Sequence, residues 1–165
     1  MEPSQESLQY PIGRFQRPEE AGPERVAGWI EEIAVLPAQL RAAVEGLTDA
    51  QLDTVYRPNG WTLRQVVHHL ADSHINAYVR VRIAVTEPQP AVRPYDEQAW
   101  ARLPDAQSGP IDVSLRLVDA LHERWAALGR ALTPTQLQAI YHHPEHGKPL
   151  VLDATLAMYA WHGKH

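Results

Sequence analysis

The chain has 165 residues, with 15 Lys and Arg against 20 Asp and Glu, so its formal net charge at pH 7 is −5. That sign disfavours sequence-independent binding to nucleic acid phosphates, and no segment approaches the roughly 18 apolar residues of a membrane span. The absence of cysteine excludes disulfides and cysteine-ligated metal within these residues. Together with the lack of a signal-peptide pattern, it favours a soluble, unexported protein of the cytoplasm.

The N-terminal part of the chain predicts an arm and a first helix. Residues 1–22 are polar and proline-rich, and we expect them to run as an extended arm ahead of a bundle domain at 23–165. Pro37 lies inside the first helical pattern and lacks a backbone N–H, so a kink or a restart is expected there. That pattern consists of Val26, Ile30, Ile33, Leu40, Val44 and Leu47.

Three more helices follow in the sequence. The strongest pattern runs from Trp61 to about Val85, with an apolar stripe at helical spacing. Residues 87–110 contain five prolines and predict a long irregular crossover. A third helix is predicted over 115–132, and a fourth begins near Leu152. The sequence therefore predicts an all-α four-helix bundle with a long Pro-rich crossover between helices 2 and 3.

Two segments of the sequence resemble each other. Residues 47–52 (LTDAQL) and 132–137 (LTPTQL) both predict a short helix with a threonine N-cap and a glutamine three residues later. Each is followed by tyrosine, proline, glycine and a long helix that carries histidine. Two explanations stay open: chance recurrence of a common cap, or a duplicated helical hairpin, in which His69 and His162 could face each other across the bundle.

The chain has nine histidines, most of them in three clusters. On a helical wheel, His68 lies opposite the apolar stripe of the second helix, and we expect it to be exposed. His69 lies at the edge of the stripe and His74 lies within it. Periodicity therefore leaves open which of the two is a metal ligand and which is a core histidine. The clusters occupy residues 68–74, 142–146 and 162–165.

The C-terminal histidines give the more specific local signal. His162 and His165 are three residues apart and share a face of the fourth helix. A metal site would still need a third ligand from another helix. Three neutral imidazoles suit zinc, nickel, copper or iron(II) and leave a position open for water or substrate, which is typical of catalytic sites. The remaining cluster, His142, His143 and His146, is predicted to form a loop that could line an entrance.

Several motifs resemble the YfiT-like branch of the DinB superfamily. The longest spans residues 61–74, WTLRQVVHHLADSH, and the similar stretches cover nearly the whole chain in the same order. The others are residues 10–13 (YPIG), 47–57 (LTDAQLDTVYR), 93–97 (RPYDE) with Trp100, 143–145 (HPE) and 159–162 (YAWH).

This resemblance implies a four-helix bundle, usually a homodimer, with one divalent metal per subunit, zinc or nickel. In the family a His before Leu in helix two and two His of an H-x-x-x-H in helix four hold the metal, which map to His69 and His162. The last family position falls immediately after His165, where the given sequence stops. Either the sequence given ends short of that ligand, or His165 replaces it, and we include His165 in the predicted metal site.

The resemblance also implies the chemistry. The expected activities are those of a metal-dependent hydrolase or of a transferase that joins a low-molecular-weight thiol, bacillithiol, to a small-molecule electrophile. The crossover around 95–100 is expected to help form the pocket. No catalytic residue is identified, and Asp72 fits a surface or supporting role better than a general base. Two other hypotheses stay open: a non-catalytic, stress-related ligand-binding bundle with a structural metal, and a helical interaction module without metal.

Overall fold

The computed structural model describes residues 5–19 and 21–165, in which helices dominate. The four long helices are α2 (Pro23–Val44), α4 (Leu63–Thr86), α7 (Ile111–Ala131) and α9 (Leu152–Lys164). The short elements are α1 (Gln5–Gln9), α3 (Asp49–Leu52), α5 (Glu97–Trp100), α6 (Pro104–Ser108), α8 (Pro134–Leu137), β1 (Ile140–Tyr141) and β2 (Leu150–Val151). The prediction of an all-α four-helix bundle is confirmed, with one small antiparallel β-hairpin added to it.

The core lies where the four long helices meet. Helix α7 packs on α2 and α4, and α9 packs on α2. Trp125 of α7 is almost fully buried, and its ring lies 6.3 Å from that of Tyr78 and 5.5 Å from that of Tyr159. Gly163 lets α9 approach α2 closely, because a Cβ atom there would lie only 2.6 Å from Leu36. This close approach brings the C-terminal turn of α9 into the bundle.

Short helices α3 and α8 have the caps that the sequence predicts. In both, the threonine side chain accepts a hydrogen bond from the glutamine backbone, and the glutamine side chain accepts one from the threonine backbone. The residues are Thr48 with Gln51 and Thr133 with Gln136. The two segments are thus alike in local structure, and the duplicated hairpin stays a prediction.

Two N-terminal expectations differ from the structure. Helix α2 continues through Pro37 without a restart, because packing on α7 and α9 holds the turn that the missing N–H weakens. The predicted extended arm includes the short helix α1, and Phe15 packs on Trp161 of α9. Residues 1–4 and 20 of that arm lie outside the described residues.

The crossover is more ordered than the predicted irregular segment. Asp96 caps α5 by accepting a hydrogen bond from the Ala99 backbone, and Pro104 occupies the first turn of α6, where a missing N–H costs nothing. The backbone of Val92 donates to the carbonyl of His142, which joins the crossover to the residue that follows β1. Across the described ranges, no helix is long and apolar enough to cross a membrane.

A buried arginine side chain fixes the start of α4. Arg64 is 4% exposed, and its guanidinium donates to the carboxylates of Asp49 and Asp53 and to the carbonyl of Gly109. These hydrogen bonds connect α3, α4 and the end of the crossover. The first turns of α4, which carry the predicted ligand His69, are therefore fixed by hydrogen bonds to α3 and to the end of the crossover.

Candidate metal centre

The structure brings His69 of α4 and His162 of α9 together. Their ring centroids lie 5.5 Å apart in an edge-to-face arrangement. Two imidazoles that bind one tetrahedral zinc ion, each at roughly 2 Å, have ring centroids about 5 Å apart. Trp61 also packs on His69, with ring centroids 4.6 Å apart, and its indole nitrogen donates to Gln98 of the crossover. The pair thus has the spacing of two ligands to one ion, beside an aromatic wall.

Burial keeps both rings neutral. It lowers the pKa of His69 to about 4. It also lowers the pKa of His162 to about 3, and a positive charge on His69 or His165 would add to the effect. A neutral imidazole has a lone pair on one ring nitrogen, which is the form that binds metal. At neutral pH, protons therefore do not compete for this pair.

His74 lies beneath the pair as a core histidine. It is fully buried, and its Nε2 lies 3.0 Å from Nδ1 of His162 while its Nδ1 lies 2.9 Å from Nε2 of His122. Both of its ring nitrogens are therefore engaged. His74 is therefore a core histidine in this structure, and the assignment of His69 as the metal ligand stays a prediction.

The structure does not bring His165 to this pair. Its Nε2 lies 2.7 Å from the carbonyl oxygen of Gln9, and its ring stacks on Trp161 at 4.6 Å. The ring thus turns toward the N-terminal arm. Within the described residues, no three His, Cys, Asp or Glu side chains form a group that could hold a metal ion. The donor set in place is two imidazoles, and the predicted third ligand is not among the side chains beside them.

His68 differs from its predicted exposure. It is 9% exposed, with Nδ1 2.8 Å from the Ser114 hydroxyl and Nε2 3.2 Å from the carbonyl of Gly109. The helical wheel missed this because α6 and the start of α7 cover the side of α4 that would otherwise face solvent. Asp72 lies on the same side, where burial and Asp105 raise the pKa of its carboxyl group.

A group of polar side chains lies near the pair, and it includes Tyr95 from the part of the crossover that was expected to help form the pocket. Ser73 hydrogen-bonds with the hydroxyl groups of Tyr95 and Tyr159, and Tyr159 also hydrogen-bonds with Arg80. The ring of Tyr159 lies 5.8 Å from that of His162. Burial raises the pKa of both tyrosines, so both hydroxyls stay protonated at neutral pH. Through Tyr95 the crossover reaches the turn of α4 that follows His69.

The third histidine cluster stays in the loop between β1 and β2. His142 is held there by its backbone, which pairs with the crossover. His143 and His146 have ring centroids 5.1 Å apart, and the backbone N–H of Glu145 donates to Nδ1 of His143 at 3.4 Å. The predicted loop is present, and it forms a histidine pair of its own.

A sequence profile described as the DinB superfamily matches residues 32–165. The chain belongs to the DinB superfamily. This DinB chain is 46% identical to YfiT of Bacillus subtilis over 159 residues, which cover 96% of the chain and 89% of YfiT. It is 49% identical to OB0782 of Oceanobacillus iheyensis over 156 residues, which cover 94% of the chain and 90% of that relative. Both relatives are named as proposed metal-dependent hydrolases.

The fold of this DinB chain also matches a solved structure. YfiT from Bacillus subtilis superposes with a TM-score of 0.94 at 46% identity, over 96% of this chain and 91% of that one. That structure is described as a probable metal-dependent hydrolase with an unusual four-helix bundle topology. The sequence-based assignment to the YfiT-like branch is confirmed.

Proposed function

We propose that this chain is a metal-dependent enzyme in which His69 and His162 bind one divalent cation, zinc or nickel. The observation that carries the proposal is the convergence of two neutral imidazoles from distant helices, with ring centroids 5.5 Å apart. The names of the relatives support the same chemistry. Two protein ligands leave coordination positions for a further ligand and a reactant.

The surrounding residues suit a small substrate. A bound divalent cation lowers the pKa of water or of a thiol toward neutrality, which makes a nucleophile available. Trp61 supplies an apolar wall against His69, and the protonated hydroxyls of Tyr95 and Tyr159 can donate hydrogen bonds to a polar group of the substrate. Hydrolysis of a small amide or ester uses water at this position.

The finer proposal is transfer of a low-molecular-weight thiol of the bacillithiol type to an electrophile. With no cysteine in the chain, the thiol must come from a small molecule. The same two histidines and the same open position serve both reactions, so activity assays must distinguish them. Such an enzyme would work as a homodimer with one metal per subunit.

Metal analysis followed by activity screens tests the proposal. Protein purified without a histidine tag should contain about one zinc or nickel ion per chain. It should also hydrolyse a small ester or amide, or join a thiol to an electrophile. His69→Ala should abolish that activity, while His146→Ala, in the loop, should retain it.

Three results would contradict this proposal in different ways. Absence of bound metal would favour the helical interaction module. Bound metal with tight binding of a thiol but no product over hours would favour the non-catalytic bundle. Unchanged turnover in His69→Ala would remove this pair of histidines from the reaction.

A further inference from the structure

A proline in α2 leaves a buried carbonyl without its helical donor, and a histidine of α7 hydrogen-bonds to this carbonyl. The carbonyl of Ile33 would accept the N–H of residue 37 in a regular helix, but Pro37 has no N–H to donate. Nδ1 of His122 lies 2.6 Å from this oxygen. Ile33 is 1% exposed and His122 is fully buried, so the imidazole replaces a partner that water cannot supply.

This contact assigns the protons along three histidines. A carbonyl oxygen only accepts, so Nδ1 of His122 donates, and a neutral His122 then accepts at Nε2. His74 therefore donates from Nδ1 to His122 and accepts at Nε2. The hydrogen bond to His74 must then come from Nδ1 of His162.

All three rings favour the neutral form. His74 and His122 are fully buried, where a charged imidazolium would lose its hydration. The three contacts need one proton each, which three neutral rings with one N–H each supply. A neutral imidazole carries one N–H and one lone pair. Because each ring donates at Nδ1, the lone pair of His162 is on Nε2.

We propose that His122 and His74, ordered by the carbonyl that Pro37 leaves free, are positioning residues that fix His162 as its Nδ1–H tautomer. Nε2 of His162 is then the nitrogen available to the cation beside His69. This inference rests on the proposed function for the role of the metal, but the tautomers themselves are a property of the metal-free protein.

The effect on metal binding follows from general behaviour of histidine ligands. A ligand histidine whose second nitrogen donates to a fixed acceptor is held in one orientation and one tautomer, and loss of such a partner costs roughly 10–100-fold in metal affinity. In this chain that acceptor is His74, which is itself ordered by His122. His122 lies on another helix, 48 residues from His74 in the sequence, and its removal should therefore weaken metal binding.

The first test is ¹⁵N NMR of the histidine rings in the metal-free protein near pH 7. Long-range proton–nitrogen spectra distinguish the two neutral tautomers and the charged form. We expect His122, His74 and His162 all to be neutral with the proton on Nδ1. A proton on Nε2 of His162, or a charged ring at any of the three, would overturn the inference.

The second test changes the hydrogen bonds that the side chain of residue 122 can make. His122→Phe removes the donor and the acceptor, whereas in His122→Gln the amide group can still donate to Ile33 and accept from His74. We expect the zinc affinity, measured against a competing chelator, to fall about 10–100-fold in His122→Phe and to be largely retained in His122→Gln.

Val118→Ala is the matched control for lost packing. Val118 is fully buried on α7, one turn before His122, and belongs to an apolar cluster with Leu36, Leu70 and Ala71, so its truncation lowers stability and removes no histidine hydrogen bond. We expect its zinc affinity and its histidine tautomers to equal those of the unmodified protein. Equal losses of affinity in Val118→Ala and His122→Phe would overturn the positioning role.

These outcomes separate the two proposals. If the unmodified protein binds neither zinc nor nickel, the proposed function fails, while the NMR result still decides the tautomers. If the protein binds metal but the tautomers or the His122 variants do not behave as stated, the positioning chain fails and the metal site stands.

Discussion

Two histidine pairs in this molecule look alike until their ring nitrogens are compared. The centroids of His69 and His162 are 5.5 Å apart, and those of His143 and His146 are 5.1 Å apart, both nearly edge-on. Behind His162, Nε2 of His74 accepts a hydrogen bond from Nδ1 of His162, which leaves the lone pair of His162 on its Nε2. Behind His143, the Glu145 backbone donates to Nδ1, so a neutral ring carries its proton on Nε2. Ring proximity is therefore a weaker sign of a metal site than the direction of the hydrogen bonds behind the rings.

The largest expected difference between the pairs is in metal affinity. His162→Ala removes one of the two proposed ligands, so zinc affinity should fall by more than the roughly 100-fold upper cost of losing a supporting partner. His146→Ala should change it less than about twofold, since that ring is exposed in the loop. Titration against a chelator measures both. A comparable loss in His146→Ala would show that the loop pair binds the ion.

The next difference is in stability. His74→Phe leaves Nε2 of His122 and Nδ1 of His162 without their partner in the core, which should lower the free energy of unfolding by about 3 kcal/mol. His143→Phe loses one long hydrogen bond of 3.4 Å and should cost about 1 kcal/mol or less. Urea denaturation of the metal-free proteins gives both values. If His143→Phe were less stable than His74→Phe, the stabilising role of the buried hydrogen bonds between His122, His74 and His162 would be contradicted.

Acid should destabilise the metal-free protein because His69 is held neutral in the bundle. Burial holds the pKa of His69 at about 4, whereas an unfolded histidine titrates near roughly 6.5. The unfolded chain therefore binds the proton first, so this contribution is complete above about pH 6.5 and is lost as the pH falls toward about 4.

At pH 5 the loss from His69 alone is about 2 kcal/mol. His69→Ala should flatten the dependence of unfolding free energy on pH between about 6.5 and 4, measured by urea titrations across that range. His146→Ala serves as the control and should keep the slope of the unmodified protein. An equal slope in His69→Ala and the unmodified protein would mean that this ring is not held neutral by the fold.

The smallest expected effect is that of Pro37→Ala. The new N–H can donate to the Ile33 carbonyl, which has a second lone pair, so the hydrogen bond from His122 is weakened and not lost. Zinc affinity should therefore fall less than in His122→Phe, and the His162 tautomer should be unchanged in the NMR spectrum. A tautomer switch in this variant would show that the proline does more than free an acceptor.

Local features of the fold could be predicted from the sequence, while contacts between helices that are far apart in the sequence could not. The caps at Thr48 and Thr133 depend on residues three apart, so the sequence contains the whole interaction. The burial of His68 depends on α6, which lies about 40 residues away in the chain. A helical wheel contains no information about which helix covers its polar side.

The same limit applies to the candidate site. His69 and His162 were predicted from the family resemblance, which carries three-dimensional information that periodicity lacks. His122 was missed, although it falls in the apolar stripe of α7, one residue after Leu121. Pro37 was a usable signal, because a proline inside a helix frees a carbonyl that a buried polar side chain must satisfy. Which side chain does so is decided by packing between α2 and α7.

A crystal structure of the zinc-loaded protein, with the metal located by its anomalous scattering, tests the central claim most directly. We expect one zinc ion per chain, bound by a ring nitrogen of His69 and by Nε2 of His162, each at roughly 2 Å, with Nδ1 of His162 still hydrogen-bonded to His74. Zinc on the loop histidines, or on Nδ1 of His162 with His74 displaced, would contradict the account.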